Sequence, residues 1–152
     1  MVIDAQVAIP DDLNEERVKS LLAHVLQEEG IEEEWELAIQ LIDDPTMQSA
    51  HVEFMDIDEP TDIMTFPYAS EDDMWGDDQS GGDLMISVDR ARLNADEAGW
   101  TELEELYFLV THGILHLIGW DDHSDEDRAK MLARQRQLLE SWPDREVLGL
   151  FA

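Results

Sequence analysis

The sequence contains no cysteine among its 152 residues. Disulfide bonds and cysteine metal ligands are therefore excluded, and a metal site can draw only on histidine, aspartate and glutamate as strong ligands. No uninterrupted apolar run approaches the roughly 18 to 20 residues that a membrane-spanning helix needs. The first residues also lack the basic end and apolar stretch of a secretory signal, so we expect a cytoplasmic protein without a membrane partner.

Basic residues are scarce as well. Nine lysines and arginines stand against 38 aspartates and glutamates, which gives a formal net charge of −29. Such a charge repels nucleic acid at low ionic strength. Two interpretations stay open: the acidic surface is adapted to a salty cytosol, where a Debye length of about 3 Å at 1 M salt screens the repulsion, or it binds a basic protein partner.

The length and the apolar periodicity predict one α/β (α+β) domain over residues 1–152. Alternating apolar residues predict strands at 2–9, 35–41, 62–66 and 82–88, and helical spacing predicts helices at 12–29, 46–54, 89–99, 102–118 and from 124 onward. Asp89 can cap the third of these helices. The inward stripe of the last helix is predicted to consist of Met131, Leu132, Leu138 and Leu139. The acidic stretch at 68–82 predicts an exposed loop. We therefore expect a single-domain sandwich in which about five helices pack on a mixed four-stranded sheet.

The helix predicted at 102–118 is the one that carries candidate chemistry. Thr101 and Glu104 match a capping box at its start. The helix is apolar on almost every face, so it must be buried in the domain. Gly119 is suited to end it and to reverse the chain.

Three of the five histidines fall within twelve residues, as His112, His116 and His123. Residues four apart project from one face of a helix, so the first two imidazoles can point at one ion. The reversal at Gly119 can return His123 to the same point. Three protein ligands with an open fourth position are typical of catalytic zinc. We therefore predict a metalloprotease-like metal helix and one zinc ion per chain, bound by these three histidines.

The residue after the first histidine separates reaction classes. Metalloproteases of the HExxH type place a glutamate there as general base, whereas this chain has Gly113. A metal can still activate water and polarise a phosphoryl oxygen, which suits phosphodiester cleavage. Asp121 and Asp122 adjoin the histidines and are equal candidates for orienting a histidine or moving a proton, so the catalytic residue stays unassigned.

The run from His112 to His123 resembles the signature H-G-x-L-H-L-x-G-Y-D-H of the bacterial rRNA-maturation factor family known as YbeY. Residues 60–67, PTDIMTFP, are similar to that family's T-D-V-L-S-F-P stretch, and residues 82–87, GDLMIS, to its G-D-I-x-I-S strand. The matches keep their order from about residue 46 to 140. Two features depart from the pattern: six residues rather than five separate His116 from His123, and His51 and Met55 stand where the family often has asparagine and arginine.

The resemblance implies a zinc-dependent, single-strand-specific endoribonuclease that acts in late small-subunit (16S) rRNA maturation and in ribosome quality control. It implies single-stranded rRNA, the small ribosomal subunit and ribosomal or assembly proteins as partners, and it maps the metal positions to His112, His116 and His123. A ribosome-assembly binding factor with a mainly structural metal is the alternative, favoured by Met55 and by the net charge of −29. A metallopeptidase is a third interpretation, which Gly113 disfavours.

Overall fold

A computed structural model describes residues 1–57, 61–68 and 80–149 of the chain. Its strands are β1 (Val2–Ala5), β2 (Trp35–Ile42), β3 (Ile63–Pro67) and β4 (Ser80–Ser87). The α-helices of the described residues are α1 (Glu15–Glu28), α2 (Asp44–Met55), α3 (Val88–Ala98), α4 (Glu102–Ile118) and α5 (Asp125–Ser141), and a 3-10 turn follows at Arg145–Val147. The loop predicted at 68–82 falls mainly at 69–79, outside the described residues, and its last three residues belong to β4.

The four strands form one mixed sheet in the order β1-β2-β4-β3. β1, β2 and β4 run parallel, whereas β3 pairs antiparallel with β4, with Ile63 opposite Ile86 and Pro67 opposite Gly82. Proline lacks an amide hydrogen and is tolerated at the end of an edge strand, which is where Pro67 lies. The predicted fold class, an α/β fold with a mixed four-stranded sheet and about five helices, is confirmed.

The two faces of the sheet are covered by different helices. Leu84 and Ile86 of β4 belong to the main core, with buried residues of α1, α4 and α5. Met85, between them, packs against a smaller core formed by Ile42, Met47, Ala50 and Met64. This alternation follows from the two-residue period of a strand, and it places α2 on the face opposite the main core. Within the described residues, no helix has both the length and the apolar character needed to cross a membrane.

Helix α4 is central, as its composition predicts, because it packs against β3, β4, α1, α3 and α5. Gly113 allows the close approach to the sheet: a Cβ atom there would lie 2.7 Å from Leu84 Cδ2 and 2.9 Å from Ile63 Cδ1. The predicted capping box is present, with Thr101 and Glu104 exchanging side-chain to backbone hydrogen bonds. His112 and His116 therefore lie on a helix whose ends are capped and whose distance from the sheet is set by Gly113.

Three local predictions are wrong. The first strand ends at Ala5 and not near Ile9, because its neighbour β2 stops at Ile42, before Asp43 caps α2. The cap of α3 is Ser87, whose hydroxyl accepts a hydrogen bond from the Arg90 amide, whereas Asp89, the predicted cap, lies in the first turn.

The third concerns α5. Its predicted inward stripe included Leu132, which is exposed. Gln135 is buried in the same helix, with 1% of its surface exposed. The polar residue takes the inward position because the centre of α4, directly opposite, offers it hydrogen-bonding partners.

Candidate metal centre

The pair His112 and His116 lies where the helical spacing predicts. Their Nε2 atoms are 2.9 Å apart, and the ring planes meet at 82° with centroids 4.5 Å apart. Two nitrogens at this separation can both lie about 2.0–2.1 Å from one zinc ion. Both rings are half-buried at the last two turns of α4.

Hydrogen bonds on the far side of each ring determine which nitrogen carries the hydrogen. Nδ1 of His116 lies 3.0 Å from the Trp120 carbonyl oxygen, and Nδ1 of His112 lies 2.8 Å from Gln135 Oε1. The Gln135 amide is itself oriented, since its Nε2 donates to the Phe108 carbonyl oxygen. Because these oxygens can only accept, both Nδ1 atoms must donate.

In the neutral rings, the two Nε2 atoms therefore present lone pairs to each other across 2.9 Å. Either a proton on one of the two nitrogens or a metal cation held by both would relieve this contact. Burial lowers the pKa of His112, and neighbouring His116 lowers it as well, against the opposing effects of Gln135 and Asp122. The neutral imidazole that a metal ion requires is thus the favoured form of His112.

The third predicted ligand is placed differently. His123 is 89% exposed, and its Nε2 lies 3.5 Å from Asp121 Oδ1. The group beside the two helical histidines is instead the Asp122 carboxylate, whose Oδ2 lies 3.6 Å from His112 Nε2 and 3.4 Å from His116 Nε2. Among the described residues, His112, His116 and Asp122 form one group able to hold a metal ion, and Asp121, Asp122 and His123 form a second, more exposed one.

A cleft of about 560 Å³ opens beside His112 and Asp122. Part of its wall is formed by α4, where Glu105 lies seven residues before His112 and so on the same helical face. Asp62 and Asn94 also line the cleft, and the Asn94 amide donates to Asp62 Oδ2 over 3.2 Å.

Glu105 is 6% exposed although it is a glutamate. Burial raises its pKa to about 7, the negative charge of Asp62 adds to this, and a hydrogen bond from Asn94 opposes it. A carboxyl group that gains and loses its proton near neutral pH is suited to acid or base chemistry, and such groups are concentrated at functional sites.

Comparison with known proteins agrees with these features. Residues 3–143 match the sequence model of the family described as Endoribonuclease YbeY. The chain belongs to the YbeY endoribonuclease family. Proteins named Endoribonuclease YbeY share 37% identity over 131 residues in Exiguobacterium sp., covering 82% of this chain and 83% of the relative. The corresponding protein of Bacillus licheniformis shares 32% identity over 146 residues, covering 91% and 90%.

The YbeY relative of Corynebacterium jeikeium is 34% identical over 140 residues, which cover 88% of this chain and 77% of that protein. Among solved structures, the solution structure of a Thermotoga maritima protein superimposes with a TM-score of 0.62 at 26% identity, covering 92% of this chain and 87% of the other. The fold and the family assignment therefore extend over nearly the whole chain.

Two residues of this YbeY site were not anticipated from the sequence, Gln135 and Glu105. Gln135 interrupts the apolar stripe formed by Met131, Leu138 and Leu139 on α5. Glu105 lies in a helix that is otherwise apolar on almost every face. A polar residue at a position that should be buried is the signal that points to both.

Met55 stands where the family often has arginine, and it is 51% exposed at the end of α2. Another cation lies at the cleft: Arg128, in the first part of α5, is the only lysine or arginine among the described residues that line it. No carboxylate of the described part of the chain pairs with its guanidinium group. In a protein with a net charge of −29, the described part of this YbeY cleft therefore retains one cationic side chain without an ion pair.

Proposed function

We propose that this chain is a zinc-dependent endoribonuclease that cleaves single-stranded RNA in late small-subunit (16S) rRNA maturation and ribosome quality control. In this proposal it acts in the cytoplasm, on rRNA within the small ribosomal subunit and beside ribosomal or assembly proteins. His112 and His116 hold one zinc ion per chain, together with a third ligand from the turn at 120–123. Membership of the YbeY family supports the RNA substrate.

One observation carries the proposal: the Nε2 atoms of His112 and His116 lie 2.9 Å apart beside a cleft, while the Nδ1 atom of each ring is hydrogen-bonded to an oxygen acceptor. The donor set fits zinc, because both rings are held by hydrogen bonds from Nδ1, as is usual for histidine ligands. When bound, zinc supplies Lewis acidity toward a phosphoryl oxygen and activates water.

The side chains around the cleft have complementary tasks. Arg128, which forms no ion pair with a carboxylate among the described residues, neutralises an RNA phosphate at the cleft. Glu105, with its pKa raised to about 7 by burial, can exchange a proton with a group entering the deeper part of the cleft. Gln135 keeps the His112 ring oriented.

A peptidase mechanism of the HExxH type is disfavoured by packing as well as by sequence. Its general base would stand at Gly113, where even a Cβ atom would come within 2.7 Å of the Leu84 side chain. A glutamate at that position has no space between α4 and the sheet.

The test is to compare the purified protein with its His116→Ala variant. We expect about one zinc per chain in the wild type and little in the variant, measured by elemental analysis. Cleavage of a single-stranded RNA, assayed from 0.1 to 1 M KCl, should fall by at least about 1,000-fold in the variant. A wild-type cleavage rate that rises with salt would favour the interpretation that the acidic surface is adapted to a salty cytosol.

The binding-factor alternative predicts a different outcome. Wild type and His116→Ala would then behave alike on RNA, and both would restore ribosome maturation in cells that lack the protein. A metal-free wild type with full ribonuclease activity would remove the metal from the mechanism.

A further inference from the structure

We propose that Asp122, and not His123, supplies the third metal ligand, so that the site is built from two histidines and one carboxylate. The proposal rests on the metal site of the proposed function and concerns only which residue completes it. It departs from the three-histidine set that the sequence resemblance implies. Three independent features support it: the spacing of the ligand atoms, the anchoring of the turn, and the exposure of His123.

The ligand atoms have the spacing of one coordination sphere. Nε2 of His112, Nε2 of His116 and Oδ2 of Asp122 are separated by 2.9, 3.6 and 3.4 Å. The circle through three such atoms has a radius of about 1.9 Å, which is close to the usual distance from zinc to a histidine nitrogen or a carboxylate oxygen, so all three atoms could hold one ion. A zinc ion held by three protein ligands would keep a further position open for water or substrate.

The turn that presents Asp122 is anchored where it leaves α4. Gly119 has a φ of +124°, and the Trp120 amide donates to the Leu115 carbonyl oxygen over 3.0 Å. The Trp120 carbonyl oxygen accepts from His116 Nδ1, so one of the two helical ligands itself holds the start of the turn.

The other end of the turn is anchored as well. Ser124 caps α5 by accepting from the Asp127 amide over 3.0 Å. Asp121 Oδ1 accepts from the His123 amide over 2.7 Å, an aspartate turn of the kind that fixes the two following residues. The short segment between Trp120 and Ser124 is thus held at both ends, which opposes a shift by one residue that would bring His123 to the place of Asp122.

His123 and Asp122 also differ in how much of each side chain is exposed. The Asp122 side chain is half-buried beside the two imidazoles, whereas the His123 side chain is 89% exposed. Counted without a gap, Asp122 is the tenth residue after His112 and takes the position of the last histidine in the H-G-x-L-H-L-x-G-Y-D-H pattern. The apparent one-residue insertion before His123 is then a substitution of histidine by aspartate.

The change has chemical consequences for the ion that is bound. Two histidines and one carboxylate form an established ligand set for catalytic zinc. The carboxylate adds a negative charge and an oxygen donor, and oxygen donors increase the relative suitability of harder ions such as Mn²⁺. We therefore expect this site to discriminate less strongly between Zn²⁺ and Mn²⁺ than a three-histidine variant of the same chain.

The experiment compares metal binding by the full chain in four forms: wild type, Asp122→Ala, Asp122→His and His123→Ala. Co²⁺ titration followed by visible absorption gives the affinity and reports the ligand set, and Zn²⁺ competition against the bound Co²⁺ gives the zinc affinity. We expect Asp122→Ala to lose more than about 100-fold in affinity and His123→Ala to change it by less than about threefold. Asp122→His should bind with a shifted Co²⁺ spectrum and a larger preference for Zn²⁺ over Mn²⁺.

Each outcome separates this proposal from the function on which it rests. Loss of metal in His123→Ala with retention in Asp122→Ala overturns the assignment and restores His123 as ligand, while the metal-dependent function stands. Absence of stoichiometric binding in the wild type contradicts the proposed function itself. Thermal unfolding of the metal-free proteins shows whether Asp122→Ala is folded, and Asp122→His, which retains a ligand at the position, keeps the test valid if it is not.

Discussion

The two halves of the candidate metal site are built in different ways. On α4, His112 and His116 are spaced by the helix itself, and each ring is held from behind by a hydrogen bond to an oxygen atom. In the turn that follows, Asp121, Asp122 and His123 are adjacent in sequence, and only the backbone conformation decides which of them faces the two imidazoles. A helix therefore fixes which ligands converge, whereas a turn selects one residue among neighbours.

This difference has a consequence for how each half responds to substitution. On the helix, His112 depends on a residue far away in sequence, since Gln135 lies 23 positions after it, whereas His116 is held by Trp120, four positions on. The turn depends on its own short-range hydrogen bonds, such as that between Asp121 and the His123 amide. Removing the Gln135 side chain should therefore weaken metal binding at His112. The conformation of the turn should depend mainly on substitutions within the turn itself.

The largest effect, on metal affinity, is expected from a substitution of Gln135, which holds the His112 ring. Gln135→Leu removes the acceptor from His112 Nδ1 and leaves the Phe108 carbonyl oxygen without its side-chain donor. We expect metal affinity to fall by about 10- to 100-fold, as it does when the hydrogen-bonding partner of a ligand is removed. Co²⁺ titration measures the affinity, and nitrogen NMR of the ring reports whether His112 still carries its hydrogen on Nδ1.

The matched control is Gln137→Leu, on the exposed side of the same helix, which should leave both measurements unchanged. Equal affinities for Gln135→Leu and the wild type would show that the helix alone orients the ring.

The second effect concerns Glu105 on α4 and the pH dependence of the free energy of unfolding. The pKa of Glu105 is raised to about 7 from the ordinary value of 4.5, so the folded protein keeps a proton that the unfolded chain releases. Its contribution therefore makes the free energy of unfolding decrease as the pH rises from about 4.5 to 7, and the loss is complete above that window. We expect Glu105→Gln to be more stable than the wild type at pH 8, by on the order of 2 kcal/mol, and the advantage to shrink toward pH 4.5.

Urea unfolding at a series of pH values tests this expectation. Asp62→Asn serves as a graded control, because it removes the neighbouring charge and leaves the larger effect of burial in place. The other charged or titratable residues along the cleft, Glu97, His112, Asp122 and Arg128, are unchanged in both variants. Parallel pH profiles for Glu105→Gln and the wild type would contradict the raised pKa.

The smallest effect is expected beyond the turn, on α5. Arg128→Ala should raise the KM for single-stranded RNA about fivefold with little change in kcat, because an exposed cation at the cleft mouth contributes to phosphate binding and not to bond breaking. Its matched control is Lys130→Ala, two residues away, whose ammonium group pairs with Glu126 at 3.1 Å. Steady-state kinetics at low salt, where the charge is least screened, measures the difference.

Equal KM values for Arg128→Ala and Lys130→Ala would exclude a particular role for the unpaired arginine. A fall in kcat alone would place Arg128 closer to the reacting phosphate than the cleft geometry suggests.

Much of the fold was predictable because local signals agreed with one another. The capping box at Thr101 and Glu104 and the reversal at Gly119 gave α4 its observed bounds. The order of the strands was not predictable in the same way, since β1 and β4 both pair with β2 through contacts between residues far apart in sequence. The early end of β1 has the same cause, because it depends on where its neighbour stops.

The candidate site also has one part that local sequence determines and another part that depends on contacts between distant residues. The sequence by itself determined the helical pair, since a spacing of four residues on a buried helix places His112 and His116 on one face whatever surrounds them. Only the tertiary structure decided that Gln135 supports this pair from α5, that Glu105 is buried beside Asp62, and that Asp122 rather than His123 faces the imidazoles. The physical reason is that helical periodicity is a property of the local backbone, whereas the direction of a residue in a turn and the surroundings of a buried polar group depend on elements that the chain brings together only when it folds.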